Sequence, residues 1–96
     1  MNTLDQIARK RSDILKAAAR HGAYNIRVFG SVIRGEDKPG SDVDFLVATE
    51  VETSSWFPAG LILDLEATLG RPVDVVTENG LSPLLREHVL KEAMAL

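Results

Sequence analysis

Residues 42–48, Asp-Val-Asp-Phe-Leu-Val-Ala, constrain this chain more than any other stretch. Side chains alternate along a strand, so Val43, Phe45 and Val47 share one face while Asp42, Asp44 and Leu46 share the other. The first face belongs to a hydrophobic core. The second sets two like charges side by side and cannot be an ordinary core face. Asp74 repeats the pattern between Val73 and Val75, with Val76 further along on its own face. Leu46 and Val76 beside the acids need cover, from one of the chain's own helices or from another protein, and an exposed apolar patch next to the acids is expected, of the kind that marks protein contacts.

The surrounding chain gives these acids a frame. Thr3-x-x-Gln6 reads as a capping box opening a first helix through Leu4, Ile7, Ala8, Ile14, Leu15 and Ala18, stopped by Gly22. Residues 24–29 read as strand one, 42–48 as strand two and 72–77 as strand three. A short helical turn after Ser31 and turn chemistry over residues 36–41 separate the first two strands. A helix over 58–69, carrying Leu61, Ile62, Leu65 and Leu69 and ended by Gly70, separates the second from the third. Ser82-Pro83 opens a last helix with Leu84, Leu85, Val89 and Ala93 inward.

The order α-β-α-β-α-β-α makes this an α/β (α+β) chain, and its 96 residues form one domain over 1–96. Gly30-Ser31 ends strand one, whereas Asp42 and Asp44 begin strand two. These positions meet only if the two strands are antiparallel; a parallel pair would hold them roughly 20 Å apart. Asp74, near the start of strand three, joins them if strands two and three are parallel, and the intervening helix supplies the crossover. The expectation is a mixed three-stranded sheet of order 1-2-3 with flanking helices and three carboxylates converging at one edge.

Carboxylates that close repel one another and raise at least one pKa unless a cation neutralises them. Oxygen donors suit a hard ion such as Mg²⁺, held together with substrate phosphates. A third carboxylate opens the possibility of two ions clamping the oxygens of a phosphoryl-type displacement. Gly30 lets backbone approach a phosphate closely, the Ser31 hydroxyl can add a hydrogen bond, and Arg34 a charge-assisted contact. Taken singly, each feature has a plainer reading. Asp42-x-Asp44 can be a solvated strand edge, Gly30-Ser31 a turn, Arg34 a partner of Glu36 or Asp37, and Asp74 an edge charge that discourages aggregation. Together they are far more specific.

Composition narrows the partners. There is no cysteine, hence no disulfide and no thiolate metal site. The net charge of −3 argues against nucleic acid as the main partner. Arg9-Lys10-Arg11, with Lys16 and Arg20, reads as a solvated helix face. No apolar leader or membrane-length apolar run occurs, so a cytoplasmic protein is expected. His21 and His88 receive no role, and Trp56 and Phe57 read first as core anchors, then as partner contacts.

Gly30-Ser31, ten residues, then Asp42-x-Asp44, with a later Asp74 in a hydrophobic strand, resembles the nucleotidyltransferase superfamily that includes polymerase β. The stretches VFGSVIRGEDKPGSDVDFLV and LGRPVDVVTENGL look most like the minimal nucleotidyltransferases (MNT), the antitoxin halves of HEPN–MNT toxin–antitoxin pairs. The resemblance covers nearly the whole chain. It implies that Asp42 and Asp44 bind metal ions and that Asp74 is a further ligand or the base for the acceptor hydroxyl. Gly30 and Ser31 would hold the triphosphate, with Arg34 beside it. It further implies transfer of AMP from MgATP to a tyrosine of a HEPN ribonuclease toxin. A small-molecule acceptor, an RNA end, or masking of the toxin without chemistry are the alternatives.

Overall fold

The structure is a computed structural model that describes residues 2–96. Two helices come first, α1 (Thr3–Arg9) and α2 (Arg11–Arg20), where the periodicity predicts one. Lys10 leaves helical geometry between them (φ −98°, ψ 8°). The break lets the two pieces reach different partners. In α1, Gln6 donates to the carbonyl of Leu69 (2.9 Å); α2 buries Ile14, Ala17 and Ala18. The cap is Asn2 rather than Thr3, since the Asn2 side chain accepts from the amide of Asp5 (2.8 Å). Thr3 instead donates to Asp37 (2.6 Å), so the capping box does not form.

Gly22 turns the chain at φ +81°, where an added Cβ would fall 2.5 Å from the Glu52 carbonyl oxygen. Then follow β1 (Ala23–Phe29), the single turn α3 (Ser31–Arg34), β2 (Val43–Thr49), α4 (Ala59–Leu69), β3 (Val73–Thr77), a 3₁₀ turn (Glu78–Gly80), α5 (Pro83–Glu92) and β4 (Met94–Ala95). As expected, β1 and β2 pair antiparallel and β2 and β3 parallel. The sheet nevertheless has four strands in the order β3-β2-β1-β4, not three in the order 1-2-3. The extra strand is two residues long and pairs antiparallel with Arg27 and Val28. So short a strand has no periodicity to read in sequence.

The core lies on one face of the sheet. Val43, Phe45 and Val47 are fully buried there, packed with Ile7, Ile14, Ala17, Leu61 and Leu65 in one cluster. The other face carries α5, which buries only Val89. Leu84 and Leu85 point outward, against expectation, at 92% and 57% exposure. The patch expected around Leu46 and Val76 is likewise absent. Leu46 is fully buried and Val76 half-buried, so the exposed apolar surface is displaced onto the outer side of α5. Trp56, 88% exposed, is no core anchor, whereas Phe57 packs against the cluster. Arg9, Lys10, Arg11, Lys16 and Arg20 are all exposed, in keeping with a solvated face.

Candidate functional site

The register fixes the centre of the site. Phe29 is opposite Asp44 across the antiparallel pair, and Asp44 is level with Asp74 across the parallel pair. Gly30 therefore turns directly over Asp44. Its backbone is at φ +82°, and a Cβ built there would sit 2.4 Å from the Asp44 Oδ2. A side chain there would have to push the carboxylate aside, and the conformation itself favours glycine. Gly30 is buried, Ser31 opens α3 beside it, and Asp44 is half-buried. Asp42 lies one residue ahead of β2 rather than inside it, and both Asp42 and Asp74 are exposed.

The electrostatics carry the mark of crowding. Burial pushes the Asp44 carboxyl above its ordinary pKa, and the neighbouring charges of Asp74 and Asp42 push it further. Arg34 pulls the other way, less strongly. Arg34 is committed to carboxylates: Nε donates to Glu36 (2.6 Å) and Nη1 to Glu92 (2.6 Å). The plain ion pair with Glu36 is thus realised, but Asp37 turns elsewhere, to Thr3 and Arg71. Glu92, at the end of α5, also accepts from the Gly30 amide (3.0 Å). Burial alone would raise its pKa, but the hydrogen bonds from Arg34 and Gly30 outweigh that and hold it below its usual value.

Sequence reasoning did not single out Glu92. On a helix surface it is indistinguishable from Glu87, and only the tertiary fold brings it to Gly30. Nor did it single out Arg71, which is largely buried and ties down the turn ahead of Asp42. Its guanidinium donates to Thr3 Oγ1 (2.7 Å) and to the carbonyls of Ser41 (2.9 Å) and Lys38 (3.3 Å). His21 is at the opposite end of the sheet, where its ring bridges Ser54 and Asp64 at 2.6 Å each, and His88 is exposed.

The donors at the site fit a hard cation in kind, being carboxylate oxygens that repel one another. Among the described residues, no three His, Asp or Glu side chains are arranged to hold a metal between them. A cation here needs oxygens from a substrate as well, which is how Mg²⁺ is commonly bound.

The family described as nucleotidyltransferase domain matches residues 8–96. The chain belongs to that family. Its reading as a nucleotidyltransferase, made on Gly30-Ser31 and Asp42-x-Asp44, holds at that level. The protein adenylyltransferase MntA of Thermococcus cleftensis is 43% identical over 75 residues, covering 78% of this nucleotidyltransferase and 76% of that protein. A Methanocaldococcus jannaschii protein, provisionally named a protein adenylyltransferase, is 37% identical over 91 residues and 95% of each chain. Among solved structures, one provisionally assigned as a minimal nucleotidyltransferase superposes with a TM-score of 0.86 at 49% identity, covering 100% of this chain and 97% of that one. The MNT antitoxin of Shewanella oneidensis, solved with its tri-AMPylated HEPN toxin, shares the fold (TM-score 0.63, 21% identity, 99% of this chain and 71% of that one). No helix among the described residues is long and apolar enough to cross a membrane.

Proposed function

We propose that this nucleotidyltransferase is a cytoplasmic antitoxin that transfers AMP from MgATP to a tyrosine of a cognate HEPN toxin and so neutralises it. The observation that carries this reading is Gly30 turned onto Asp44, with Asp74 level beside it, in a chain whose relatives are named protein adenylyltransferases. Gly30 and Ser31 would bind the phosphates through an amide and a hydroxyl, with Arg34 adding a charge-assisted contact. Asp42, Asp44 and Asp74, joined by oxygens of the triphosphate, would hold Mg²⁺, one ion or two, which when bound offsets the charge of the triphosphate and of the leaving pyrophosphate. The tyrosine oxygen bonds to the α-phosphorus as the bond to the bridging oxygen of pyrophosphate breaks. The phenolic proton passes to a carboxylate at the site, Asp74 being the exposed one on β3. In this reading the toxin presents its own tyrosine to the α-phosphate, and orientation supplies much of such catalysis.

The test is to mix cognate toxin, this protein and MgATP, then record the toxin's intact mass and its ribonuclease activity. A mass gain of one or more AMP units on tyrosine with loss of ribonuclease activity is expected. Inhibition without a mass gain would leave masking in its place. A gain on a small molecule or an RNA end instead would reassign the acceptor.

A further inference from the structure

Two of the donors that the proposed function assigns to the triphosphate are already occupied by this chain itself. The Gly30 amide and the Arg34 guanidinium both bind one carboxylate, that of Glu92, at 3.0 and 2.6 Å. A carboxylate bridging a glycine amide and an arginine presents to them what a phosphate presents, a pair of anionic oxygens. The Glu92 side chain is only 11% exposed, so this is a fitted contact and not a passing surface pair. The helix that delivers it is otherwise lightly fastened. Of α5, only Val89 is buried, while Leu84, Leu85 and Leu90 face solvent. Further fastenings are the Arg86 bond to the Glu78 carbonyl (2.8 Å) at its start and β4 just beyond its end.

We infer that Glu92 and the triphosphate compete for the Gly30 amide and Arg34, so that Glu92 sets the nucleotide affinity and must turn away as the nucleotide binds. This rests on the proposed function for the identity of the ligand. The Gly30 amide has one hydrogen to give and cannot serve both anions at once, and a phosphate arriving at Arg34 beside Glu92 meets a like charge. The apparent affinity is therefore reduced by the fraction of time Glu92 stays in place. Glu92 would act on the reaction through the cradle, without touching the reacting atoms.

The experiment titrates the α,β-methylene analogue of ATP with Mg²⁺, which binds but cannot release AMP, into the parent and into Glu92→Gln. Glu87→Gln is the control, since it removes the same charge from α5 at a side chain 80% exposed and paired only with Lys91. Glu92→Gln is expected to bind the analogue about five- to tenfold more tightly while unfolding at a slightly lower temperature, and Glu87→Gln to leave affinity unchanged. A merely structural Glu92 would move affinity and stability downward together. Unchanged or weaker binding by a folded Glu92→Gln would overturn the inference, as would an equal gain in Glu87→Gln. If the parent bound the analogue and modified the toxin in these cases, the proposed function would stand alone. A parent that neither binds nor transfers would remove both.

Discussion

α4 and α5 are of similar length and both rich in leucine, yet they do opposite things to the sheet. Leu61, Leu65 and Leu69 of α4 recur every fourth residue, and all three are buried against the sheet. Only the fourth leucine of α4, Leu63, faces solvent, whereas α5 carries three leucines and each is exposed. The reason is the strand between them. On the α4 side β2 offers Val43, Phe45 and Val47, which reward close packing; on the other it offers Asp44 ahead of Leu46, which does not. A charged face cannot be covered tightly without removing water from its carboxylates. α5 therefore stands on one valine and a few polar contacts. One strand thus builds a core on one side and keeps a polar site on the other.

That contrast can be broken most heavily from the core side. Phe45→Ala removes the largest fully buried side chain and should cost about 3–5 kcal/mol, a large share of the stability of a domain this small. Urea denaturation followed by circular dichroism measures it, and a loss below about 1 kcal/mol would mean the core is not centred on β2. One residue back, on the other face, Asp44→Asn should reverse the balance. Transfer of AMP should fall on the order of 10²–10³-fold or more, while the fold persists. Because burial, then Asp74 and Asp42, hold the Asp44 carboxyl above its unfolded pKa, the folded protein binds that proton more readily than the unfolded chain. Stability then falls as pH rises from the unfolded to the folded value, and above both the ionised Asp44 is a standing cost. Asp44→Asn should consequently be more stable than the parent at pH 7, by a margin that vanishes below the ordinary carboxylate range. Denaturation midpoints at pH 3 and pH 7 give the two ends. The smallest effect belongs to α5. Leu84→Ser should change stability by no more than about 0.5 kcal/mol, and a loss well above that would show that Leu84 is covered in solution.

What could be read from sequence follows the same division. Valines and leucines at periods of two and near four announced β2, β3 and α4, and the need to bring Gly30 to Asp44 forced the antiparallel and parallel pairings. Gly22 and Gly70 stopped their helices at left-handed positions, as sequence suggested. The failures lie where a residue's role depends on a distant partner. Thr3 looks like a cap until Asp37 and Arg71 take its hydroxyl. Leu84 and Leu85 look like core until α5 turns Val89, and not them, inward. Glu92 looks like solvent-facing charge until the chain returns beside β1, and β4 is too short to carry any pattern. Of the candidate site, the residues at the ends of legible strands were visible, and the one supplied from 62 positions away on a helix surface was not.

The level placement of Asp44 and Asp74 bears on folding fidelity as well as on chemistry. Each acid alternates with core valines: Val43 and Phe45 flank one, Val73 and Val75 the other. Were β3 threaded against β2 one residue out of phase, Asp74 would be driven under α4 while two valines turned to water, an arrangement whose desolvation cost no contact there repays. The acids thus veto the wrong threading before any ligand arrives. Insertions should accordingly be refused within Val73–Thr77, where parity decides which face is charged.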